Sequence, residues 1–125
     1  MKEIITTKNA PQAIGPYSQA VLVNRTLYSS GQIAIDPQTN LLVLETIEAE
    51  THQVMKNLRA VLEAANMDFS NVVKCTIFLK DMNQYASINE VYKTYFNENP
   101  PAREAVQVSE LPKSVNVEIS AIGVK

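Results

Sequence analysis

The periodicity of the apolar residues changes at Thr46, and this change constrains the fold more than any other feature of the chain. Beyond Thr46, one set of residues recurs at helical spacing over about five turns: Ile47, Thr51, Val54, Met55, Leu58, Val61, Leu62 and Ala65. Asn66 follows, and asparagine is the second choice after glycine for the left-handed residue that ends a helix. The sequence therefore predicts an amphipathic helix over 46–65.

A second, shorter helix is predicted between Tyr85 and Phe96. Its apolar stripe consists of Tyr85, Ile88, Val91, Tyr92, Tyr95 and Phe96, and Pro100-Pro101 stops it. Strands are predicted on either side of the two helices, over 2–6, 19–23, 26–35, 72–79, 103–109 and 115–124. A tight turn near Asn24-Arg25 joins the second strand to the third.

The order of these elements, β-β-β-α-β-α-β-β, indicates an α+β fold with both helices on one face of a mixed sheet. The chain has 125 residues. We therefore expect one domain over 1–125, large enough to build a core without disulfides or metals.

Side chains alternate between the two faces of a strand, so the sequence also predicts what each sheet face carries. Four residues of one strand are expected to meet the helices: Val73, Cys75, Ile77 and Leu79. The opposite face is expected to mix apolar residues such as Phe78 with polar ones, including Arg103 and Glu118. Such a face is too apolar for water and too polar for a core, which favours association of subunits.

The charge and cysteine content exclude several classes of protein. With 11 basic and 13 acidic residues and a net charge of −2, the chain offers no basic field for nucleic acid or an anionic membrane. Its single cysteine, Cys75, allows no intramolecular disulfide and fits a reducing compartment. No stretch approaches the roughly 20 apolar residues that span a bilayer, and the N-terminus resembles neither a secretory signal nor a transit segment. We expect a cytoplasmic protein.

Two ionisable residues stand inside predicted strands that follow one another, Arg103 and Glu118. Because a buried unpaired charge is expensive, these two suggest a small polar pocket. Arg103 either forms a structural ion pair, with Glu118 or Glu104, or uses its planar fork to bind a ligand carboxylate. Glu118 is either a salt-bridge partner at an interface or a general base that holds or activates water.

Other catalytic arrangements find little support in the sequence. His52, the only histidine, is expected at the surface or an edge, and Cys75 is expected to be a buried small hydrophobe. No residues have metal-ligand spacing, and no glycine-rich loop suits phosphate. Two loops rich in small polar groups remain, over 15–20 and 29–32. Each is either a simple turn or a ligand-binding loop, in which the glycine lets backbone N–H groups approach a ligand.

Taken together, these segments resemble the Rid family (reactive-intermediate deaminase, formerly YjgF), and within it the imine-deaminating RidA branch. The resemblance covers nearly the whole chain. Its motifs are 13–20, 30–33, 57–65, 73–81, Asn89, 101–103, 111–113 (Leu-Pro-Lys) and 117–119. Each motif is common by itself, but the ordered set is highly specific.

The resemblance implies a chorismate-mutase-like α+β fold assembled as a homotrimer, with a site in each cleft between subunits. It also implies hydrolysis of 2-imino acids, such as 2-iminobutanoate and 2-iminopropanoate, and of their enamine tautomers. The products are 2-oxo acids and ammonia, and the reaction needs no metal or organic cofactor. Dehydratases that use pyridoxal phosphate and act on serine and threonine release these substrates.

The resemblance further implies roles for individual residues. The family's arginine at the position of Arg103 binds the substrate carboxylate, and the glutamate at the position of Glu118 positions or activates water. Other pocket-lining positions match Tyr17, Ser30, Gly31 and Asn89. We also expect Tyr85, an (i, i+4) neighbour of Asn89, to line the pocket. Backbone groups around Gly31 and Ala105 are expected to hydrogen-bond the imine nitrogen or the water. Ala105 stands where many relatives carry cysteine, so a thiol there is not essential in this chain.

Three other functions stay open on the sequence. One is a non-catalytic trimer that binds a small carboxylate, although the presence of Arg103 favours the enzyme. The second is the ribonuclease and translation-inhibitor activity also attributed to the family, against which the acidic net charge speaks. The third is a chaperone-like role, which the sequence does not test.

Overall fold

The computed structural model describes residues 1–125 as a six-stranded sheet with two α-helices. The elements are β1 (Lys2–Ile5), β2 (Ala20–Val23), β3 (Thr26–Ser29), α1 (Ile47–Ala64), β4 (Val72–Leu79), α2 (Tyr85–Tyr92), β5 (Ala102–Gln107) and β6 (Val117–Val124). Short 3₁₀ turns occupy Phe69–Asn71, Met82–Gln84, Lys93–Tyr95 and Pro112–Ser114. The element order matches the prediction, with β3 and α2 shorter than predicted.

The sheet is mixed, as the sequence predicted. Its strand order is β1-β2-β3-β6-β4-β5. Only β4 and β5 run parallel, and the other neighbouring pairs are antiparallel. Consequently β5 is an edge strand, and β4 separates it from β6 although β5 and β6 follow one another in the sequence.

Helix α1 forms where its capping groups and apolar stripe predict it. The Thr46 hydroxyl accepts a hydrogen bond from the Ala49 N–H at 3.0 Å, which satisfies one free donor of the first turn. At the other end Asn66 adopts the left-handed conformation, with φ of 58°. The buried stripe of the helix packs on one sheet face and forms the centre of the core: Val54, Met55, Leu58, Val61 and Leu62. No helix has the length and apolar character needed to cross a membrane.

The structure corrects two side-chain directions. Cys75, Ile77 and Leu79 are buried in the core as predicted, but Val73 is exposed and Val72 is buried instead. The pairing of β4 with β6 shifts between Val72 and Lys74. Because of this irregularity, the inward and outward alternation of side chains before Lys74 is out of step with the rest of the strand.

The second correction concerns β5. Arg103 was predicted on the face away from the helices, yet it lies on the helix side and hydrogen-bonds residues of α2. Ala105 shares that side and packs against the core. Because β5 is an edge strand, both its faces are partly exposed, and its residues alternate only between intermediate and exposed positions. An alternation this weak does not reveal which face meets the helices.

The sheet face away from the helices is uncovered in the protomer. It exposes apolar side chains, among them Tyr28, Val106 and Val124. It also carries an ion pair between Lys74 Nζ and Glu104 Oε1 at 2.6 Å. The predicted mixture of apolar and polar groups is therefore present on this face, with Arg103 missing from it.

Candidate active site

Glu118 lies on the uncovered sheet face, where a loop runs beside its strand. Gln32 of the loop pairs with Ile119 of β6: the Gln32 N–H donates to the Ile119 carbonyl at 2.8 Å, and the Ile119 N–H donates back at 3.1 Å. On the other side, Phe78 of β4 is the cross-strand partner of Glu118. The glutamate is thus held between an apolar ring and the loop over Ser30–Gln32.

Gly31 makes room for the Glu118 carboxylate. A β-carbon built on Gly31 would lie 2.7 Å from Cδ of Glu118 and closer still to one carboxylate oxygen. Real β-carbons do not approach other atoms this closely, so only glycine lets the loop and the carboxylate occupy these positions together. The Gly31 backbone and the Glu118 carboxylate therefore lie close together without an intervening side chain.

A cavity of about 480 Å³ opens above Glu118. Its lining includes four residues that the sequence singled out, namely Tyr17, Ser30, Gly31 and Glu118. Glu118 and Lys113 are the two formally charged residues of this lining. Burial raises the pKa of Glu118 above its ordinary value of 4.5. Neither salt bridge of the structure includes Glu118, so its partly desolvated carboxylate has no ion-pair partner in the protomer and is free to accept a hydrogen bond from water.

The far wall of this cavity is positioned by a residue that the sequence analysis missed. Gln19 is buried, and its amide nitrogen donates to the carbonyls of Thr7, Ala10 and Pro11 at 3.0, 3.2 and 2.7 Å. Its amide oxygen accepts the Thr7 N–H at 2.7 Å. One side chain therefore ties down the loop that carries Tyr17. A polar residue just before a strand gives no sequence signal of such burial.

A second missed residue fixes the start of β6. Glu50 of α1 is fully buried, and its carboxylate accepts from the Asn116 N–H at 2.7 Å and from the Asn116 side-chain amide at 2.8 Å. Such multiple hydrogen bonds satisfy a buried carboxylate. Glu50 lies three residues after Ile47 and four before Val54, inside the apolar stripe. A charged residue inside an apolar helical stripe was therefore the sequence signal that could have identified Glu50 as a buried, hydrogen-bonded carboxylate.

Arg103 is held by two side chains of α2. Its Nη1 donates to Asn89 Oδ1 at 2.6 Å, and its Nη2 donates to the Tyr85 hydroxyl. The guanidinium carbon also lies 5.4 Å from the ring centre of Tyr85 and 5.0 Å from that of Tyr92. Tyr85, Asn89 and Tyr92 recur at helical spacing, so one face of α2 clamps the guanidinium.

The Arg103 charge has no counter-ion. Its hydrogen-bond acceptors are neutral, and neither salt bridge of the structure includes it. The proposed structural ion pair with Glu118 or Glu104 is therefore absent, since Glu104 pairs with Lys74 instead. Of the five N–H donors of a guanidinium, three stay free for a ligand. A second cavity, of about 430 Å³, opens beside Arg103 and Asn89.

Two groups behind Arg103 are inert. Cys75 is buried as predicted, and desolvation raises the pKa of its thiol. Desolvation likewise raises the pKa of Tyr92, whose hydroxyl neighbours that thiol and has no regular hydrogen-bond partner. Both groups therefore stay protonated at neutral pH, and neither supplies a nucleophile. His52 is half-buried and lines neither cavity. Its Nδ1 lies 2.7 Å from the Tyr95 hydroxyl.

The predicted site residues fall into two groups on opposite sides of the sheet. Tyr17, Ser30, Gly31 and Glu118 surround the cavity on the uncovered face. Tyr85, Asn89, Arg103 and Ala105 lie on the helix side of the edge strand or on α2. Strand β4 stands between the two groups. Arg103 and Glu118 therefore do not share a pocket within one protomer, and the expected site in a cleft between subunits stays a prediction.

The chain is similar to known proteins along nearly its whole length. Residues 7–125 match the family model described as Endoribonuclease L-PSP. A 2-iminobutanoate/2-iminopropanoate deaminase of Rattus norvegicus is 52% identical over 100% of this chain and 91% of its own length.

Solved structures of the same fold include a member of the Rid protein family from Yersinia pestis, 48% identical with a TM-score of 0.97 over 100% of both chains. Another is TdcF of E. coli with bound serine, 40% identical with a TM-score of 0.95 over 98% of both chains. The family match covers strands β2 to β6, both helices and the residues that line the two cavities. This chain is a member of the Endoribonuclease L-PSP family, in which the Rid proteins and the 2-iminobutanoate/2-iminopropanoate deaminases are its relatives.

Proposed function

We propose that this protein hydrolyses small 2-imino acids, such as 2-iminobutanoate and 2-iminopropanoate, to 2-oxo acids and ammonia. The observation that carries the proposal is the uncompensated Arg103 guanidinium, which neutral side chains hold with three donors free. Such a fork suits a small carboxylate. The rat deaminase, 52% identical along the whole chain, supports the choice of substrate.

In the proposed enzyme, the two half-sites meet between protomers. Glu118 and Arg103 lie on opposite sides of one sheet, so a ligand that touches both must touch two chains. The uncovered sheet face, with Tyr28, Val106 and Val124 exposed, provides apolar surface for that contact. A homotrimer with one site in each cleft fits this requirement. Ala105, two residues beyond Arg103, then lies on the wall of the same cleft.

The chemistry follows from the charges of the two half-sites. Arg103 binds the carboxylate of the imino acid and aims the C=N carbon at Glu118. Glu118 takes a proton from water as the water oxygen bonds to that carbon, and the proton passes to the nitrogen. The hydroxyl proton of the resulting amino alcohol then passes through the Glu118 carboxylate to the nitrogen as the C–N bond breaks, which releases ammonia and leaves the C=O group of the 2-oxo acid. The reaction consumes one water and needs no metal or organic cofactor.

Two other functions fit the observations less well. A non-catalytic site for a small carboxylate is the stronger of them, since TdcF binds serine in its crystal structure. The partly desolvated Glu118 favours hydrolysis over simple binding, because a binding site for an anion gains nothing from a second negative charge. The family description names endoribonucleases, but a net charge of −2 provides no basic surface for RNA.

The proposal is tested with a dehydratase that generates 2-iminobutanoate from threonine in situ. We expect the purified protein to speed ammonia release and to lower the trapping of the imine by semicarbazide. Light scattering in the same buffer is expected to give three times the 13.9 kDa chain mass. Unchanged ammonia release with a 2-oxo acid still bound would favour the non-catalytic alternative. A fully active monomer would contradict the shared cleft.

Replacing Gly31 by alanine is expected to lower kcat by about tenfold or more while the chain still folds. The new β-carbon overlaps the Glu118 carboxylate and must displace that side chain or the loop. Gly15→Ala is the matched control, because a β-carbon there meets only the Tyr17 ring at an ordinary 3.5 Å. Steady-state kinetics and circular dichroism of both variants give the answer. Equal kcat values would show that the Glu118 position is not critical.

A further inference from the structure

The turn that bears the Leu111-Pro112-Lys113 motif has an unusual backbone. Six non-glycine residues adopt positive φ, and four of them are asparagines, which tolerate this region. The other two are neighbours, Lys113 with φ of 55° and Ser114 with φ of 56°. Residues with a Cβ that lack the asparagine amide adopt this conformation at a cost of order 1 kcal/mol or more each. The chain therefore keeps two strained residues in a row at one place.

Buried anchors on either side hold this turn in place. Leu111 and Val115 are both buried, and between them the Ser114 N–H donates to the Leu111 carbonyl at 3.0 Å. The Val115 N–H donates to the Pro112 carbonyl at 3.2 Å. The surrounding packing thus imposes the strained conformation, which places Pro112 and Lys113 in the lining of the Glu118 cavity. Strain of this kind tends to persist where a functional group has to be presented.

The charge at this position suits the ligand. Lys113 is the one cationic residue lining the Glu118 cavity, it is exposed, and it forms no salt bridge. Glu118 repels an anionic substrate from the half-site that carries the hydrolytic water. A free ammonium at the rim offsets that repulsion and raises the local concentration of small anions.

We propose that Lys113 is a specificity-determining residue that attracts the anionic form of the substrate to the Glu118 side of the cleft. This inference rests on the proposed deaminase function. It makes Lys113 act on binding of the anion, whereas Arg103 orients it and Glu118 acts on the water.

The test compares Lys113→Asn with Lys113→Arg and with Lys56→Gln, which removes an exposed charge from α1 outside both cavities. Asparagine suits the left-handed conformation, so Lys113→Asn is expected to unfold at the wild-type temperature or above. At low ionic strength its KM for the 2-imino acid is expected to rise about twofold to fivefold, the effect of one exposed charge pair. Its kcat is expected to stay the same, and Lys113→Arg and Lys56→Gln are expected to keep the wild-type KM.

Two readouts separate this role from a structural one. The KM difference is expected to shrink in 0.5 M salt, because the Debye length falls from about 10 Å at 0.1 M to about 3 Å at 1 M. It is also expected to vanish for the uncharged 2-imino amide. An unchanged KM for the acid, or an equal rise for acid and amide, would overturn the role of Lys113.

If the wild type hydrolyses no imine, the proposed deaminase function fails by itself. Titration with 2-oxobutanoate then decides the role of Lys113, because the Kd of Lys113→Asn is expected to rise by the same factor and with the same salt dependence. Equal affinities, or no binding by the wild type, would overturn it.

Discussion

Replacing Arg103 by alanine is expected to lower kcat/KM for 2-iminobutanoate by about 10²-fold to 10³-fold. The variant leaves the substrate carboxylate without its counter-ion in a partly buried site. Truncating one partner of such a charge pair costs about 2–5 kcal/mol. The loss is expected in both KM and kcat, because the same contact binds the substrate and aims its C=N carbon.

Lysine at position 103 is expected to restore only part of this loss. An ammonium keeps the charge but cannot donate to Asn89, Tyr85 and both carboxylate oxygens from one plane. Tyr85→Phe removes one of the two hydrogen bonds that clamp the guanidinium, and we expect its kcat/KM to lie between those of the wild type and Arg103→Lys. This order distinguishes an oriented fork from a simple positive charge.

Arg59→Ala is the matched control for Arg103→Ala. The Arg59 guanidinium also stacks on two rings, 5.7 Å from Phe69 and 5.1 Å from Tyr95, but it lies in neither cavity. A stability loss from the missing cation–π contacts should be similar in the two variants, whereas activity should fall only in Arg103→Ala. Equal kcat/KM values for Arg103→Ala and the wild type would refute the assignment of the substrate carboxylate to Arg103.

The fold was accessible from the sequence because its signals are local. The stripe from Ile47 to Ala65 and its closing Asn66 define α1, and Asn24 at positive φ marks the turn between β2 and β3. The pairing of Tyr85 with Asn89 was also visible as an (i, i+4) spacing, and both residues contact Arg103. Each of these inferences depends on the spacing between neighbouring members of a pattern, which is no more than about one helical turn.

The separation of Glu118 and Arg103 onto opposite sides of the sheet could not be predicted from the sequence. It depends on how strands that are distant in the sequence pair with one another. Consecutive strands usually lie side by side, but β4 lies between β5 and β6 here. Period-two alternation shows that Arg103 and Ala105 share a face, yet it does not say which face. The irregular pairing near Val73 is equally invisible locally. Residues such as Gln19 are recognised only from the partners that three-dimensional structure gives them.

Replacing Glu118 by glutamine is expected to lower kcat by about 10²-fold to 10⁴-fold, the usual contribution of a positioned general base. Glutamine keeps the size of the side chain beside Gly31 but cannot take a proton from water. KM is expected to change little, because the substrate carboxylate is assigned to Arg103. Glu63→Gln, an exposed change on α1, serves as the control. A variant with wild-type kcat would exclude Glu118 as the base.

The pH dependence gives an independent check, since burial raises the pKa of Glu118 above its ordinary value of 4.5. The base acts in its ionised form, so kcat of the wild type is expected to fall as the pH drops through that raised pKa. This acidic limb is expected to be missing from the residual activity of Glu118→Gln. A limb that persists unchanged in the variant would belong to another group.

The raised pKa of Glu118 also predicts that stability changes with pH in the direction opposite to kcat. Because the folded state binds this proton more tightly than the unfolded chain does, the free energy of unfolding falls as the pH rises from the unfolded pKa through the raised folded one. Glu118→Gln does not lose this stability, because glutamine does not titrate. It is therefore expected to melt above the wild type at pH 7 and level with it at pH values below 4.5. A variant that is less active and yet more stable would indicate that the protein tolerates a desolvated carboxylate for the sake of its chemistry. Equal destabilisation at both pH values would instead mean that Glu118 is a structural residue.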